Sequence, residues 1–328
     1  MKKIFLIICC LFFICGCSKN NGKEVLQKIK DKVEKSKNYQ ITANLEIYRN
    51  EEKFTYDIIA TYQKENNFKV ELLNKENNHE QIILKNQNSV YVLTPSLNKS
   101  FKFQSDWPYN NSQIYLLQPI LNDIENDKNI KFETKENGYI ITSNVNYSNE
   151  SDYKKQRVYF DKDNCMKKVE IINDKKEIKM NLDIINIKYN IKLDKDYFDV
   201  NKYINSKERN SNKDKTSTLN EIVYPMYIPV ETYLTSQNTV STDSGERVIL
   251  NFTGESQFVF VQENLDTNET LGYVYGEPYL ILDTIGAITD SSVTWISNGV
   301  EYSVMSDTLG IDELLTVAQS IGVKAVGK

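Results

Sequence analysis

Two stretches near the start of the chain alternate between apolar and polar side chains, and this period of two restricts what the chain can form. In YQITANLEIY (39–48) every second residue is apolar, and FTYDIIATY (54–62) repeats the pattern. Such alternation is typical of antiparallel strands with one buried and one solvated face. The residues expected on the buried face, as a hydrophobic surface for a ligand or partner, are Tyr39, Ile41, Leu45, Tyr56, Ile58 and Tyr62.

The rest of the first 204 residues continues this β pattern around two helical segments. KEVLQKIKDKVEKSKN predicts a leading amphipathic helix, and DWPYNNSQIYLLQPILNDIE predicts a second helix that Pro119 should kink or divide. The sequence therefore predicts a β-rich α+β fold, a curved antiparallel half-barrel sheet of about eleven strands with helices on its concave side. Besides the two alternating stretches, the predicted strands are FKVELL, QIILK, SVYVLT, SFKF, IKFETK, YIITSNV, RVYFD, MKKVEII and IKMNLDIINIKY.

The N-terminus carries the features of a lipoprotein signal. Lys2 and Lys3 precede an apolar run that ends at Cys15, which is shorter than the roughly 20 residues of a membrane-spanning helix. A charged start and a short apolar run predict a secretory signal peptide. ICGC (14–17) is similar to a bacterial lipobox, in which the cysteine takes a diacylglyceryl group and becomes the mature N-terminus. The alternative is an ordinary signal peptide or a poor membrane anchor with a chance cysteine.

We therefore expect a signal peptide at 1–16, a lipidated Cys17 and a short tether at 17–23. The composition, rich in Lys, Asn and Ile, is typical of low-GC bacteria with a single membrane. The expected location is the outer face of the cytoplasmic membrane, held by the lipid on Cys17.

Charge divides the remaining chain into two parts. Residues 219–328 contain fifteen acidic and three basic residues, a net charge of −12, whereas the whole chain carries −5. The change falls at NSKERNSNKDKTST (205–218), which has no apolar side chain and predicts a linker. The expected domains are a half-barrel at 24–204 and a small acidic α+β domain at 219–328.

The second domain ends in a predicted hairpin and helix. Trp295 and Tyr302 flank the turn at 297–299, so they should pair across two strands. The segment DELLTVAQSI then predicts a helix with one apolar face. This Trp-x-x-x-Gly-x-x-Tyr spacing with its terminal helix looks like a small domain of unassigned function that is often attached to extracytoplasmic half-barrel lipoproteins. Simple cross-strand packing of the two rings explains most of the pattern.

The order of elements resembles a known family over roughly residues 24 to 200. The leading helix, the meander with VYVLTPSLNKSFKF, the inserted helix and the closing VYFDKDNCMKKVEI hairpin resemble the LolA/LolB/RseB half-barrel of lipoprotein-carrier proteins. Among these, the lipobox and the basic, Asn-rich sequence look most like sporulation and germination lipoproteins of Firmicutes, namely germination lipoprotein S and its relatives. The resemblance implies a concave apolar cavity and a protein partner such as a cortex-modifying amidase. The carriers' functional arginine has no match here.

Residues for catalysis are sparse. Three cysteines leave with the signal peptide and Cys17 is consumed, so Cys165 stands alone and no disulfide is possible within one mature chain. His79, the single histidine, cannot by itself supply a histidine-rich zinc site. We expect no enzyme activity, no cofactor, no metal and no nucleic-acid partner, although paired carboxylates for glycan hydrolysis remain open. The lysines either bind anionic lipid or wall polymer or form a solvated face.

Three functions fit these observations. The first is a membrane-tethered binding protein of sporulation or germination, in sporulating cells between the mother-cell and forespore membranes. The second is a lipid or lipoprotein carrier that uses the concave face as a pocket. The third is an RseB-like sensor that regulates an anti-sigma system. An open apolar cavity would favour the carrier, and large side chains filling it would favour the binding protein.

Replacing the predicted lipidation site should abolish anchoring. Cys17→Ala is expected to leave an unprocessed precursor that takes up no labelled palmitate, whereas Cys165→Ala should be labelled like the wild type. Two or three acyl chains hold a protein firmly because each buried CH₂ contributes about 0.8 kcal/mol. Palmitate that still enters the Cys17→Ala protein would contradict the lipobox interpretation.

Overall fold

The computed structural model describes residues 22–49, 52–87, 89–109, 112–147, 151–204, 219, 221–265, 271–281, 283–297 and 299–321. Cys17 and the predicted linker at 205–218 lie outside these ranges. In the described part of the chain, no helix has both the length and the apolar character that crossing a membrane requires.

Two helices accompany the first sheet. α1 (Gly22–Lys35) buries Val25, Ile29 and Val33, which recur every four residues on one face. α2 (Leu117–Asn126) is the predicted second helix, but the expected kink at Pro119 is wrong. Pro119 lies in the first turn of α2, where backbone amides have no partner within the helix, so proline costs no hydrogen bond there.

The predicted meander is present. Within 38–189, consecutive strands pair antiparallel. The exception is the pair β6 and β7, which lie on opposite edges of this set of strands. The last strand, β11, pairs antiparallel with the first strand, β1. The strands are Asn38–Arg49 (β1), Glu52–Gln63 (β2), Asn67–Asn74 (β3), Glu80–Asn86 (β4), Ser89–Thr94 (β5), Lys99–Phe103 (β6), Lys131–Lys135 (β7), Gly138–Asn144 (β8), Lys155–Asp161 (β9), Met166–Ile172 (β10) and Ile178–Tyr189 (β11).

The second part of the chain adds a further sheet and one helix, α3 (Ile311–Gln319). Its sheet has the order β12-β13-β14-β19-β18-β17-β16. Trp295 and Tyr302 pair as predicted, with ring centroids 5.4 Å apart. The strands are Thr232–Thr242 (β12), Gly245–Gly254 (β13), Phe258–Asn264 (β14), Leu271–Val274 (β15), Glu277–Ile281 (β16), Thr284–Ile288 (β17), Ser292–Ser297 (β18) and Val300–Met305 (β19).

One strand of the second part belongs to the first sheet. β15 pairs in parallel with β6 and brings that curved sheet to twelve strands among the described residues. The predicted β-rich α+β class is confirmed, and the sheet contains one strand more than expected. Parallel pairing of segments so far apart leaves no local sequence signal, because no turn joins the two strands.

The two sheets also share packing and hydrogen bonds. Ile285 and Ala287 of β17 lie in the core formed by the first sheet and its helices. Between the sheets, the buried Gln81 amide oxygen accepts a hydrogen bond from the Ile285 backbone amide at 2.6 Å and one from the Thr284 hydroxyl at 3.2 Å. The domain boundaries themselves stay a prediction, since the linker lies outside the described residues.

The end of the first part folds back over the outer side of the sheet. Lys69 on β3 is only 3% exposed, and its ammonium group lies 4.0 Å from the ring centroid of Tyr197 and 4.4 Å from that of Tyr203. Burial lowers the pKa of Lys69, but hydrogen bonds to Glu71 and Tyr203 outweigh this and raise it above its usual value. A paired cation between two rings therefore fixes residues 197–203 against the sheet.

Candidate functional site

The residues predicted to face inward lie together on one side of β1 and β2. The register pairs Tyr39 with Tyr62 and Leu45 with Tyr56, so their side chains share one face. Tyr39, Ile41, Leu45, Tyr56 and Ile58 are almost completely buried, and Tyr62 is partly buried against them. The structure thus places them in a hydrophobic core; their service as a ligand or partner surface stays a prediction.

Helix α2 covers this face through a specific polar contact. The Tyr39 hydroxyl donates a hydrogen bond to the Gln118 side chain at 2.5 Å and accepts one from the Leu117 backbone amide at 3.0 Å. The second bond satisfies one of the free amides at the start of α2. Burial raises the pKa of Tyr39 well above its ordinary value, so the hydroxyl stays protonated at neutral pH. Tyr39 is a structural anchor for the helix.

Aromatic rings fill one end of the same face. Tyr39 and Tyr62 have ring centroids 5.3 Å apart, Tyr62 and Phe68 lie 5.0 Å apart, and Phe68 meets Trp107 edge to face at 6.0 Å. Trp107 comes from the connection between β6 and α2 and is 1% exposed. Rings at these separations attract one another beyond simple burial. The space that a carrier would need for acyl chains is occupied here by the chain's own side chains.

A small cavity of about 60 Å³ remains between the two sheets. Its lining is mainly apolar and includes Leu45 and Leu72. At its rim, the Arg49 guanidinium donates hydrogen bonds to the hydroxyls of Tyr153 at 3.2 Å and Tyr279 at 3.3 Å. Pockets for drug-sized ligands have volumes of roughly 300–1,000 Å³. This cavity is too small for a lipid chain in the described conformation. No sequence motif marks Arg49 as part of it.

A larger groove of about 680 Å³ lies beside α1 and α2 and is lined by residues of both helices and of the connections that precede α2 and follow β8. Lys30 of α1 and Glu125 of α2 form an ion pair across it, with 2.7 Å between the ammonium nitrogen and a carboxylate oxygen. Asp123 also lines the groove, and burial raises the pKa of its carboxyl to about 6 despite a hydrogen bond with Ser112. The groove is open, and its lining mixes charged side chains with apolar ones such as Val33 and Leu121.

The two reactive side chains singled out in the sequence lie apart from these features. His79 lies in the turn between β3 and β4, where burial lowers its pKa and the carboxylate of Asp283 opposes that effect. The Cys165 thiol is partly exposed and makes a long contact of 3.9 Å with the Asp163 carbonyl. In the described ranges, no three His, Cys, Asp or Glu side chains are grouped as a metal site would require.

One exposed feature has no counterpart in the sequence predictions. β12, which forms an edge of the second sheet, is exposed along nearly its whole length. Its sequence, TYLTSQNTVST, lacks alternating hydrophobicity because both of its faces meet solvent. The signal that could have revealed it is the turn Thr242-Asp243-Ser244-Gly245 that precedes the predicted strand RVILNF.

Over nearly its whole length the chain is similar to a known sporulation protein. Sporulation protein YdcC of Bacillus subtilis (strain 168) is 29% identical over 315 residues, which cover 95% of this chain and 93% of that protein. No family model matches the chain. The predicted likeness to sporulation proteins is confirmed by this relative.

Solved structures whose chain follows a partly similar path include two complexes. One is the MucA/MucB complex of Pseudomonas aeruginosa. The matched chain is 11% identical, the match covers 90% of this chain and 98% of that chain, and the TM-score is 0.34. The other is the CwlD amidase of Clostridioides difficile in complex with the GerS lipoprotein. The matched chain is 16% identical, the match covers 51% of this chain and 95% of that chain, and the TM-score is 0.31. Both scores are below 0.5, so we base neither fold nor function on them.

The raised pKa of Asp123 predicts a pH-dependent stability effect. Above pH 6 the buried carboxylate is ionised in the folded state and costs free energy, whereas below 3.8 it is protonated in both states and the cost vanishes. The full shift corresponds to about 3 kcal/mol, and partial exposure reduces the expected gain of Asp123→Asn at pH 7 to about 1–2 kcal/mol.

Urea unfolding at pH 7 and pH 3.5 measures this difference. Asp174→Asn, which changes an exposed carboxylate, serves as the control and should leave stability unchanged at both pH values. If Asp123→Asn changes the free energy of unfolding equally at the two pH values, ionisation of the Asp123 carboxyl does not destabilise the folded state.

Proposed function

We propose that the chain is a membrane-anchored extracytoplasmic lipoprotein that acts by binding a protein partner during sporulation or spore germination. The observation that carries this proposal is the filled concave face. Tyr39, Leu45 and Tyr56 are buried beneath the chain's own helices and loops, so this face packs the protein and leaves its outer surfaces for recognition. A protein that buries its inner face in this way is suited to bind through edges and grooves.

Two further observations support the setting of this function. The lipobox that ends at Cys17 supports an anchor in the outer leaflet of the cytoplasmic membrane. Similarity to a sporulation protein over 95% of the chain supports a role in spore formation. The resemblance to germination lipoproteins supports cortex-modifying machinery, such as an amidase, as the class of partner.

The alternative functions fit less well. A lipid or lipoprotein carrier needs an open apolar pocket. The cavity between the sheets measures only about 60 Å³, and the larger groove beside α1 and α2 carries the charged side chains of Lys30, Asp123 and Glu125. An RseB-like sensor of an anti-sigma system is also a protein-binding function, and it differs from the proposal only in the partner. Gene neighbours and co-purification distinguish these two partners.

A function in binding predicts that the reactive side chains are dispensable. In the spore-forming host, strains whose single copy carries His79→Ala or Cys165→Ala should form heat-resistant spores at the wild-type frequency, since neither side chain lies in a reactive cluster. Deletion of the gene and Cys17→Ala should each lower that frequency by at least about tenfold, because the deletion removes the protein and Cys17→Ala leaves an unprocessed precursor without its lipid anchor.

The count of heat-resistant spores is read together with immunoblots of the membrane fraction. A His79→Ala or Cys165→Ala protein that is present in the membrane at normal levels but inactive would contradict a binding function. A deletion strain with normal spore numbers and normal germination would contradict the sporulation role itself.

A further inference from the structure

The outer edge of β12 is open. In the sheet order, β12 is the terminal strand and pairs with β13, and no described strand lies on its other side. All residues from Tyr233 to Ser241 are exposed, on both faces of the strand. β12 therefore presents a row of backbone amides and carbonyls to its surroundings.

β12 lacks most of the features that normally protect such an edge. Edge strands in soluble proteins are usually short or carry charged residues, proline or bulges that prevent pairing with other chains. β12 has 11 residues, and its sequence TYLTSQNTVST contains no charged residue and no proline. The one irregularity in its pairing falls between Leu234 and Ser236, which leaves a regular stretch from Ser236 to Thr242.

The free hydrogen-bonding groups can be assigned by counting from the turn. Thr242 and Gly245 pair across the two residues that close the hairpin, so their backbone groups bond to each other. Because bonded and non-bonded pairs alternate in an antiparallel ladder, Val240 and Asn238 also bond to β13, whereas the amide of Thr239 points outward. The outward positions are Gln237, Thr239 and Ser241.

Exposed apolar side chains in and just before β12 are available to pack against a docking strand. Tyr233 at the start of β12 is 68% exposed, and Val230, two residues before the strand, is 83% exposed. Met226, which is 80% exposed, lies a few residues earlier, and Val240 is half-exposed near the end of β12. Strand addition gains affinity from main-chain hydrogen bonds and specificity from such side-chain contacts.

The charges at the two ends of β12 indicate which kind of strand could pair with its open edge. Glu231 precedes the strand and Asp243 follows it, and both are exposed. A second copy paired antiparallel over the full length, centred on Gln237, would place Glu231 opposite the other copy's Asp243 at both ends. Like charges in that position repel. The net charge of −12 over residues 219–328 adds to this repulsion and favours a basic partner instead.

We infer that β12 is a docking edge that takes an extended segment of a partner protein as an added strand, a segment that is uncharged in its middle and basic at both ends. This inference rests on the proposed function in protein binding and names its surface. The partner strand bonds to the outward groups of Gln237, Thr239 and Ser241, and its basic ends meet Glu231 and Asp243.

A matched pair of substitutions tests the backbone contact. Proline is tolerated on an edge strand where the amide faces away from the neighbour, so Thr239→Pro removes an outward donor and should leave the β12–β13 hairpin paired. Thr239→Ala keeps the amide and serves as the control. The probe is a fluorescent peptide as long as β12, with alternating threonine and valine and two lysines at each end; a second probe carries glutamates instead.

Fluorescence anisotropy with the full chain should show saturable binding of the basic probe, which Thr239→Ala preserves. Thr239→Pro should weaken it by at least about tenfold, since the proline removes a hydrogen bond of about 1 kcal/mol and its ring obstructs the close approach of an added strand. The acidic probe should bind at least about tenfold more weakly. The double variant Glu231→Lys, Asp243→Lys should reverse the preference between the two probes, a readout that does not depend on the proline variant folding.

Three results would overturn the inference. They are no binding of the basic probe to the wild type, equal binding by the Thr239→Pro and Thr239→Ala proteins, and a preference between probes that the double variant leaves unchanged. A concentration-dependent dimer in sedimentation equilibrium that Thr239→Pro abolishes would assign the edge to a second copy instead. If the probes do not bind at β12 but Cys17→Ala still lowers the number of heat-resistant spores, only the inference about β12 fails and the proposed function stands. The failure of the inference and the failure of the proposed function are therefore distinguishable.

Discussion

The apolar inner face of β1 and β2 is the constraint on which the rest of the structure depends. Burying a side chain such as Leu45 or Ile58 contributes about 1.5–3 kcal/mol, so a long strip of such residues must be covered by other parts of the chain. Helices α1 and α2 and the Trp107 connection supply that cover. The Tyr39 hydroxyl fixes the start of α2 over the strip through Gln118 and Leu117. Where a carrier keeps space, this chain has packed side chains.

Much of this architecture follows from local sequence patterns, and the failures have physical causes. The alternation in β1 and β2 is sufficient to predict the strands and their buried faces, because period two allows one face to be apolar. Pro119 misleads because its effect depends on its position within α2, which apolar spacing alone does not fix. The pairing of β15 could not be predicted because its partner β6 is far away in the sequence. β12 could not be predicted from alternating hydrophobicity because neither of its faces is buried.

The candidate site could be predicted only in part. The sequence indicates which residues face inward, but whether that face is filled depends on the volumes of Trp107, Phe68 and the helices that pack against it. The division of charge at 205–218 is visible in the sequence, whereas the use of β12 as an acidic-flanked edge requires its place in the sheet. Because the side chains of the inner face pack against the protein's own helices, the proposed binding surface lies at the edge of a sheet.

Photo-crosslinking with a palmitate analogue tests this account most directly. Membranes of the spore-forming host that contain the protein are incubated with a diazirine-bearing palmitate and irradiated, and crosslinked peptides are mapped by mass spectrometry. A filled concave face predicts no saturable labelling of β1 and β2 at Tyr39, Leu45 or Tyr56, since about 60 Å³ cannot admit the chain. Saturable labelling at these residues, competed by unlabelled palmitate, would show that α1 and α2 open and that the protein carries lipid.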